Sequence, residues 1–572
     1  MSLSLKNSLV YLLLGGFFLA GFFLRTYRLD SLPSEMHRDE VSIGYNAYSI
    51  LKTGKDEYGV PWPLVYESFG DYKLPGMLYS VVLSQKFLGL NTLAVRFPTA
   101  LVASLLIPVS YFLAQELWAD KRRSLLVSAM VTFAQWHTFL ARTTYEPMMA
   151  LTLFVTAVTL LLKARKSPLW FIPSFFFFGF SFLTYNVPLL IAPLIVGGVI
   201  VIFRKGFMSH PRWLGSFLIA LTLLCGGIYV LTSSATGGKL KTTIFAYQKT
   251  QNQARLFSEG MMLGGVPFKV TQLFVSPTIF IAQSLVKNYL AAFDPGYLFF
   301  DGGSNPWHSL GAIGIGNFNV FTLPLLLLTG YLLSRRKVTL DNGTRFVLFY
   351  LLISPLPDAM TIDAPVTNRL LDFHFALLLL ASIGGWWLLE RSRFSRISRA
   401  ASLVLIGSMV GYYLLFWSRY VTLHPKTLNS LWYEGISQTA QMTAALRPEV
   451  DRIYIDLNHI DAHQLTHLYF AFYSAYDPAA YHRHAEYSLD GQFSTTLSFE
   501  PYYFVDVPEK LDFGSGWERF FPEGVETALF VVRLVNEPPH AYAQEVIYDN
   551  WHKQPLWQII KVSKSDLKLG KE

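Results

Sequence analysis

Two adjacent acids, Asp39 and Glu40, stand in MHRDEVSIGYNAY (36–48), just behind the first long apolar run of the chain. An acid at the centre of a bilayer costs roughly 2.5–3.5 kcal/mol and much less at its interface. A carboxylate at a partly apolar interface can have its proton affinity raised into the range that suits a general base. The structural alternative is that both acids complement the dipole of a helix beginning near Val41. DYKLPGMLY (71–79) sets Lys73 two residues before a proline able to open a helix. There it is either a lysine that snorkels to headgroups or a cation that holds a phosphate.

Further candidates follow along the chain. LAVRFPTA (93–100) puts Arg96 at the start of an apolar run, where an arginine calls for an acid or a phosphate as partner. ARTTYEPMM (141–149) offers Arg142 and Glu146, as an ion pair or as part of a polar site. LTYNVP (183–188) adds Tyr185, which reads equally as interfacial packing. FDPGYLFFDGGSNPWHS (293–309) sets Asp294, Asp301 and His308 among aromatics. Such aromatics are ordinary belt residues or, beside acids and a histidine, a sugar or headgroup site. PDAMTIDAPVTNRLLDFH (357–374) brings Asp363, Arg369, Asp372 and His374 to the start of another helix.

These residues need elements that carry them to one level, and the composition says which kind. The 572 residues are 52% hydrophobic and only 15% charged. Soluble domains average about 25% charged, so the chain reads as a membrane protein. The net charge of +8 does not mark a nucleic-acid binder, because its lysines and arginines fall in small clusters between apolar runs. Cys225 is the single cysteine, so no disulfide forms within this sequence.

A span needs about 20 apolar residues, and about eleven candidates are found. They lie near 8–28, 93–118, 124–141, 144–162, 168–184, 187–203, 213–232, 311–333, 344–356, 369–389 and 399–418. The first reads as a retained helix rather than a cleaved signal, since no small-residue cleavage site follows it. Basic clusters alternate: 121–123, 163–166, 204–212, 335–337 and 391–399 fall on one side. The positive-inside rule then places the N-terminus in the cytoplasm of a multi-pass plasma-membrane protein. It places the loops 29–92, 233–310 and 357–368, with the C-terminal part, outside. That part has strand-like runs at 452–457, 502–507 and 527–534 and helix-like runs near 430–446 and 464–475, the pattern of a small α/β domain. The expected fold is thus an all-α polytopic membrane protein with a C-terminal α/β extracytoplasmic domain. The boundaries are 1–418 for the transmembrane catalytic domain and 419–572 for the α/β domain. All the candidate residues fall on the outer side.

The ordered set resembles the GT-C superfamily: the Asp-Glu pair after the first helix, the lysine and proline before the second, the Arg-x-Pro opening it and the Ala-Arg…Glu turn. The order is similar to the protein O-mannosyltransferase branch and its bacterial relatives, which include the lipid A aminoarabinose transferases. The likeness covers most of 8–418 and is strongest over 25–165. It implies a glycosyltransferase that takes a hexose or pentose from a polyprenyl-phosphate donor. Asp39 would deprotonate an acceptor hydroxyl or amine for inverting attack, and Glu40 beside it, the second acid of the catalytic pair, would position the first-loop helix or a neighbouring cation. Lys73 would match the lysine near the carrier phosphate, and Arg96, Arg142, Glu146 and Arg369 would line the cavity. Tyr185, Asp294 and His308 join them as binding candidates from the residue reading alone. The acceptor would be a protein, lipid or glycan at the bilayer; no nucleic acid is implied and no cofactor is required. A divalent metal, for which Asp39 and His308 are conceivable ligands, is not demanded.

The chain also departs from the family. Leu74 separates Lys73 from Pro75, Tyr185-Asn186 has no family counterpart, and no β-trefoil insert is visible. A lipid or glycan transporter or flippase would instead show broken helices at the midplane and paired repeats. A non-enzymatic envelope assembly protein would not need Asp39, Lys73 and Arg96 in this order. An oligosaccharyltransferase would carry a Trp-Trp-Asp motif outside the membrane, whereas Trp386-Trp387 lies inside an apolar run.

Overall fold

The structure is a computed structural model. It describes residues 3–567 except 69–70, 210–211, 219–220, 223–224, 226–246, 276, 304, 306–307, 362, 428–432, 461–464, 491–492, 509 and 550–552. The chain divides into two compact units, Met1–Tyr27 with Thr99–His424, and Arg28–Pro98 with Pro425–Glu572. Residues 28–98 therefore cluster with the C-terminal part, a division different from 1–418 and 419–572.

The first unit is helical. Among the described residues five helices are long and apolar enough to span a bilayer: Ser8–Thr26, Thr92–Trp118, Glu146–Lys163, Leu371–Arg391 and Arg396–Thr422. Three shorter apolar helices, Pro168–Phe182, Val187–Ile202 and Val320–Ser334, accompany them. We label α1 (Leu3–Thr26), α4 (Thr92–Trp118), α5 (Lys121–Thr132), α6 (Gln135–Leu140), α7 (Glu146–Lys163), α8 (Phe171–Phe182) and α9 (Val187–Ile202). Later in the chain come α10 (Leu323–Ser334), α11 (Asn342–Ile353), α12 (Leu371–Arg391) and α13 (Arg396–Thr422). These match the positions expected from the sequence, except that 213–232 lies largely outside the described residues. The span expected at 124–141 is broken at Phe133–Ala134 between α5 and α6. The break frees carbonyls that no water reaches in lipid. Arg25 takes them, donating to Val131 O at 3.1 Å and Thr132 O at 3.3 Å. Helix α12 passes so close to α10 that a Cβ on Gly384 would fall 2.5 Å from Leu325 O.

The second unit joins α2 (Arg38–Thr53), the hairpin β1 (Tyr66–Ser68) and β2 (Asp71–Lys73), and α3 (Pro75–Leu88) to the C-terminal elements. Those are α14 (Ile436–Leu446), β3 (Arg452–Asp456), α15 (Thr466–Tyr473), α16 (Pro478–His484), β4 (Glu486–Asp490), β5 (Phe493–Phe499), β6 (Tyr502–Val505), β7 (Thr527–Arg533), β8 (Ala543–Tyr548) and β9 (Pro555–Ser563). Strands β3 to β9 form one seven-stranded sheet in the order β4-β5-β6-β3-β7-β9-β8. The parallel centre, β6-β3-β7, consists of the strands legible in the sequence. Their apolar runs are buried, Ala528 to Val531 completely so, as strands covered on both faces require.

Candidate active site

The start of α2 is built by its own residues. His37 is the N-cap: its Nδ1 accepts from Asp39 N at 3.2 Å, while the Glu40 carboxylate accepts from His37 N at 2.9 Å. This capping box satisfies two helix-end donors at once and fixes the two acids in the first turn. Neighbours in a helix point about 100° apart, so the acids face different surroundings.

Glu40 turns inward. Arg96 grips it through Nε to Oε1 at 3.0 Å and Nη2 to Oε2 at 3.1 Å. The same guanidinium donates to Leu29 O at 3.2 Å, Pro33 O at 2.8 Å and Glu35 O at 2.5 Å. Both side chains are fully buried. Arg96 sits in the first turns of α4 and so ties 29–35 and the start of α2 to that helix. Glu40 therefore meets a neighbouring cation and Arg96 an acid, as the sequence reading allowed for each, and the two hold each other in a fully buried position.

Asp39 turns to the more open side. Its side chain is 26% exposed and receives Lys73 Nζ on Oδ1 at 2.6 Å. Lys73 ends β2, and Pro75 opens α3 two residues on, as the sequence suggested. Ser42 of α2 and Ser68 of β1 are hydrogen-bonded through their hydroxyls, which holds the hairpin against the helix. Burial by itself raises the Asp39 carboxyl. The Lys73 ammonium, with His37 and Arg38 behind it, overrides this and holds Asp39 well below the usual carboxylate range. The sequence reading expected the opposite shift, because it did not place a cation in contact.

The same unit holds acids that sequence reading passed over. Glu35 Oε1 accepts from Gly435 N at 3.1 Å and Ser437 Oγ at 2.9 Å, and burial pushes its carboxyl up to about 8. Glu57, 1% exposed, faces the buried His467 at 3.2 Å. Isolated acids in a polar loop carry no periodic signal, so nothing in the sequence singled them out.

The remaining candidates lie in the first unit. Arg369 donates to Asp363 Oδ1 at 2.5 Å and Thr361 Oγ1 at 2.8 Å, and stands 3.9 Å from Asp358 Oδ1. It also shares a hydrogen bond with Tyr185, and Glu146 and Asp358 act on that tyrosine electrostatically. Glu146, Tyr185 and Arg369, far apart in sequence, are thereby brought into one polar cluster. Asp358, unnoticed in the sequence, belongs to it. It is fully buried, accepts from Val366 N at 3.2 Å, and burial lifts its carboxyl to about 7 against the pull of Arg369. The His308 ring packs edge-on to Tyr145, next to Glu146, at 4.7 Å between centroids.

Arg142 and Asp294 make contacts to nearby backbone. Arg142 is fully buried and donates to Leu24 O at 2.8 Å and Tyr27 O at 2.6 Å, capping the carbonyl end of α1. It leans on Tyr420, whose hydroxyl accepts from Nε at 3.3 Å. Asp294 is exposed and accepts from Gly296 N and Tyr297 N, both at 3.3 Å, so it caps its own turn. Neither was separable from a binding residue in the sequence. Among the described residues no three His, Cys, Asp or Glu side chains gather as metal ligands.

Residues 16–234 match the family model of dolichyl-phosphate-mannose-protein mannosyltransferase. That segment contains Asp39, Glu40, Lys73, Arg96, Arg142, Glu146 and Tyr185. No curated protein sequence matches the chain. Among solved structures, ArnT from Cupriavidus metallidurans bound to undecaprenyl phosphate aligns over 99% of this chain and 100% of its own, at 12% identity and a TM-score of 0.51. Apo ArnT aligns over the same shares at 13% identity and a TM-score of 0.49. The oligosaccharyltransferase AglB from Archaeoglobus fulgidus, with an inhibitory peptide and a dolichol-phosphate, aligns over 92% of this chain and 69% of its own, at 11% identity and a TM-score of 0.44. The resemblance read from the ordered motifs is therefore upheld: the chain has several helices long and apolar enough to cross a membrane, it has the fold of ArnT, and its residues 16–234 match the mannosyltransferase family model.

Proposed function

We propose that this protein transfers a sugar from a polyprenyl-phosphate donor to an acceptor hydroxyl or amine at the outer face of the membrane, with inversion and with Asp39 as general base. The observation that carries the reading is the contact between Asp39 and Lys73, a carboxylate and an ammonium 2.6 Å apart. The matched family is named for a lipid-phosphate sugar, and ArnT was captured with undecaprenyl phosphate, which supports a donor of that class.

The chemistry follows from the pair. Unliganded, Asp39 is ionised and a weak base, because Lys73 stabilises its charge. A donor phosphate that engages Lys73 draws the ammonium's field away, and the proton affinity of Asp39 rises where the acceptor must be deprotonated. The acceptor oxygen or nitrogen attacks the anomeric carbon, the bond to the carrier phosphate breaks, and Asp39 keeps the proton. The phosphate leaves as a stable anion, so the reaction calls for no cofactor and no general acid. Lys73 acts as the carrier clamp. The protein, lipid or glycan acceptor reaches the site from outside, with the N-terminus cytoplasmic and the C-terminal region extracytoplasmic.

The test is transfer by purified protein from a panel of synthetic polyprenyl-phosphate sugars, wild type beside Asp39→Asn. Turnover by the wild type that is lost in a folded Asp39→Asn supports both reaction class and base. Turnover that survives the substitution removes Asp39 from the role. A wild type that neither turns over nor binds any donor counts against the class.

A further inference from the structure

We infer that Glu57 and His467 form a latch through which the C-terminal region positions the helix carrying Asp39. The inference rests on the reading of Asp39 as the base. Helix α2 is held along its whole length by residues remote in sequence. At its start, Tyr469 of α15 donates to Met36 O at 3.0 Å. At its middle, a Cβ on Gly44 would fall 2.8 Å from the Phe472 ring, so α15 lies against the helix backbone. Just beyond its end, His467 of the same short helix meets Glu57: Nε2 lies 3.2 Å from Oε2. Tyr487 adds a hydrogen bond to Glu57 O at 3.1 Å, and His482 Nε2 reaches Asp56 O at 2.6 Å.

The latch controls rotation as well as attachment. Glu57 and Asn46 are joined twice: Asn46 Nδ2 donates to Glu57 Oε1 at 2.8 Å, and Glu57 N donates to Asn46 Oδ1 at 2.9 Å. Asn46 lies two turns along α2 from Asp39 and therefore on the same stripe of the helix. Fixing Asn46 fixes the direction in which Asp39 points. The chain His467–Glu57–Asn46 thus sets the aim of Asp39 at Lys73.

The chemistry of the pair is that of a specifier of geometry. Glu57 is 1% exposed and His467 2%. An apolar pair of similar volume would stabilise such a site as well or better, so its distinct contribution is a unique register. Among the described residues His467 Nδ1 is buried with no hydrogen-bond partner. Nε2, which faces Glu57, is therefore the ring nitrogen that donates.

The experiment compares His467→Phe, Asn46→Ala and Glu57→Gln in the full-length protein. Amide hydrogen exchange over 38–53 is measured beside transfer kinetics. We expect His467→Phe and Asn46→Ala to speed exchange over 38–53 at least tenfold, with β7 unchanged. Their kcat falls at least tenfold, and KM for the donor stays within twofold. Glu57→Gln has one acceptor oxygen in place of two and can serve Asn46 or the imidazole but not both, so its exchange and kcat should change in the same direction as in the other two variants. Unchanged exchange over 38–53 overturns the latch. Faster exchange with wild-type kcat overturns its positioning role. Asp39→Asn, run alongside, separates the two readings: its retained activity removes the base assignment, while the exchange data still decide whether the latch holds α2. If His467→Phe does not fold, Asn46→Ala carries the same test.

Discussion

Lys73 Nζ sits 2.6 Å from Asp39 Oδ1, while Glu40, the next residue, is sealed against Arg96. The two acids thus have separate tasks, and substitutions should divide accordingly. Asp39→Asn should lower kcat by about 10²–10⁴-fold, the usual worth of a positioned base. Thermal stability at neutral pH should fall as well, because Lys73 loses its counter-charge, so the activity loss is read on protein shown to be folded. Transfer assays paired with melting curves check this.

Glu40 and Arg96 should show the reverse balance. Removing one partner of a buried ion pair strands the other charge, at a cost of about 3–5 kcal/mol. Arg96→Met should therefore melt early, and the double variant with Glu40→Gln should cost less than the sum of the singles. A double-mutant cycle on Tm measures the coupling.

Lys73→Gln should release Asp39 towards the ordinary carboxylate range and weaken donor binding. The pair also has a signature in acid. A carboxyl whose folded pKa is lowered contributes stability above its unfolded value, near 3.9, and loses it as pH falls towards the folded value. Wild-type protein should thus lose more stability than Lys73→Gln between about pH 5 and the acid limit. Melting temperatures over that range decide it.

Glu35 works in the opposite direction. Its folded carboxyl is raised to about 8, mainly by burial. Its contribution to stability is full below the unfolded value, about 4.3, and is lost as pH rises to about 8. Glu35→Gln keeps the acceptor for Gly435 and Ser437 and has no proton to lose. Relative to wild type its Tm should climb between pH 5 and 8.5, by about 2 °C or more, and level off above.

Sidedness is open to direct labelling. With Cys225 replaced by serine, a cysteine at the exposed Glu523 should react with an impermeant maleimide on intact cells. One at the exposed Lys205 should react only after permeabilisation. The reverse pattern would invert the proposed orientation.

The sequence by itself determined the membrane class and the central strands. Each is written in local composition: long apolar runs, charges between them, and strands buried on both faces such as 527–534. It also marked Asp39 and Lys73 as the pair to watch. It could not say which cation Glu40 meets, because only the neighbours around a helix decide which of two adjacent acids is sealed and which is open. The flanking strands β4, β5, β8 and β9 escaped notice because polar and apolar residues mix along them, so they make no continuous apolar run. Arg142 and Arg96 looked like binding residues because a sequence shows a charge and not the carbonyls that absorb it. The pairing of Glu57 with His467 spans 410 positions. Contacts at that separation carry no local pattern, so only the tertiary structure decided that the far end of the chain would hold the helix of its candidate base.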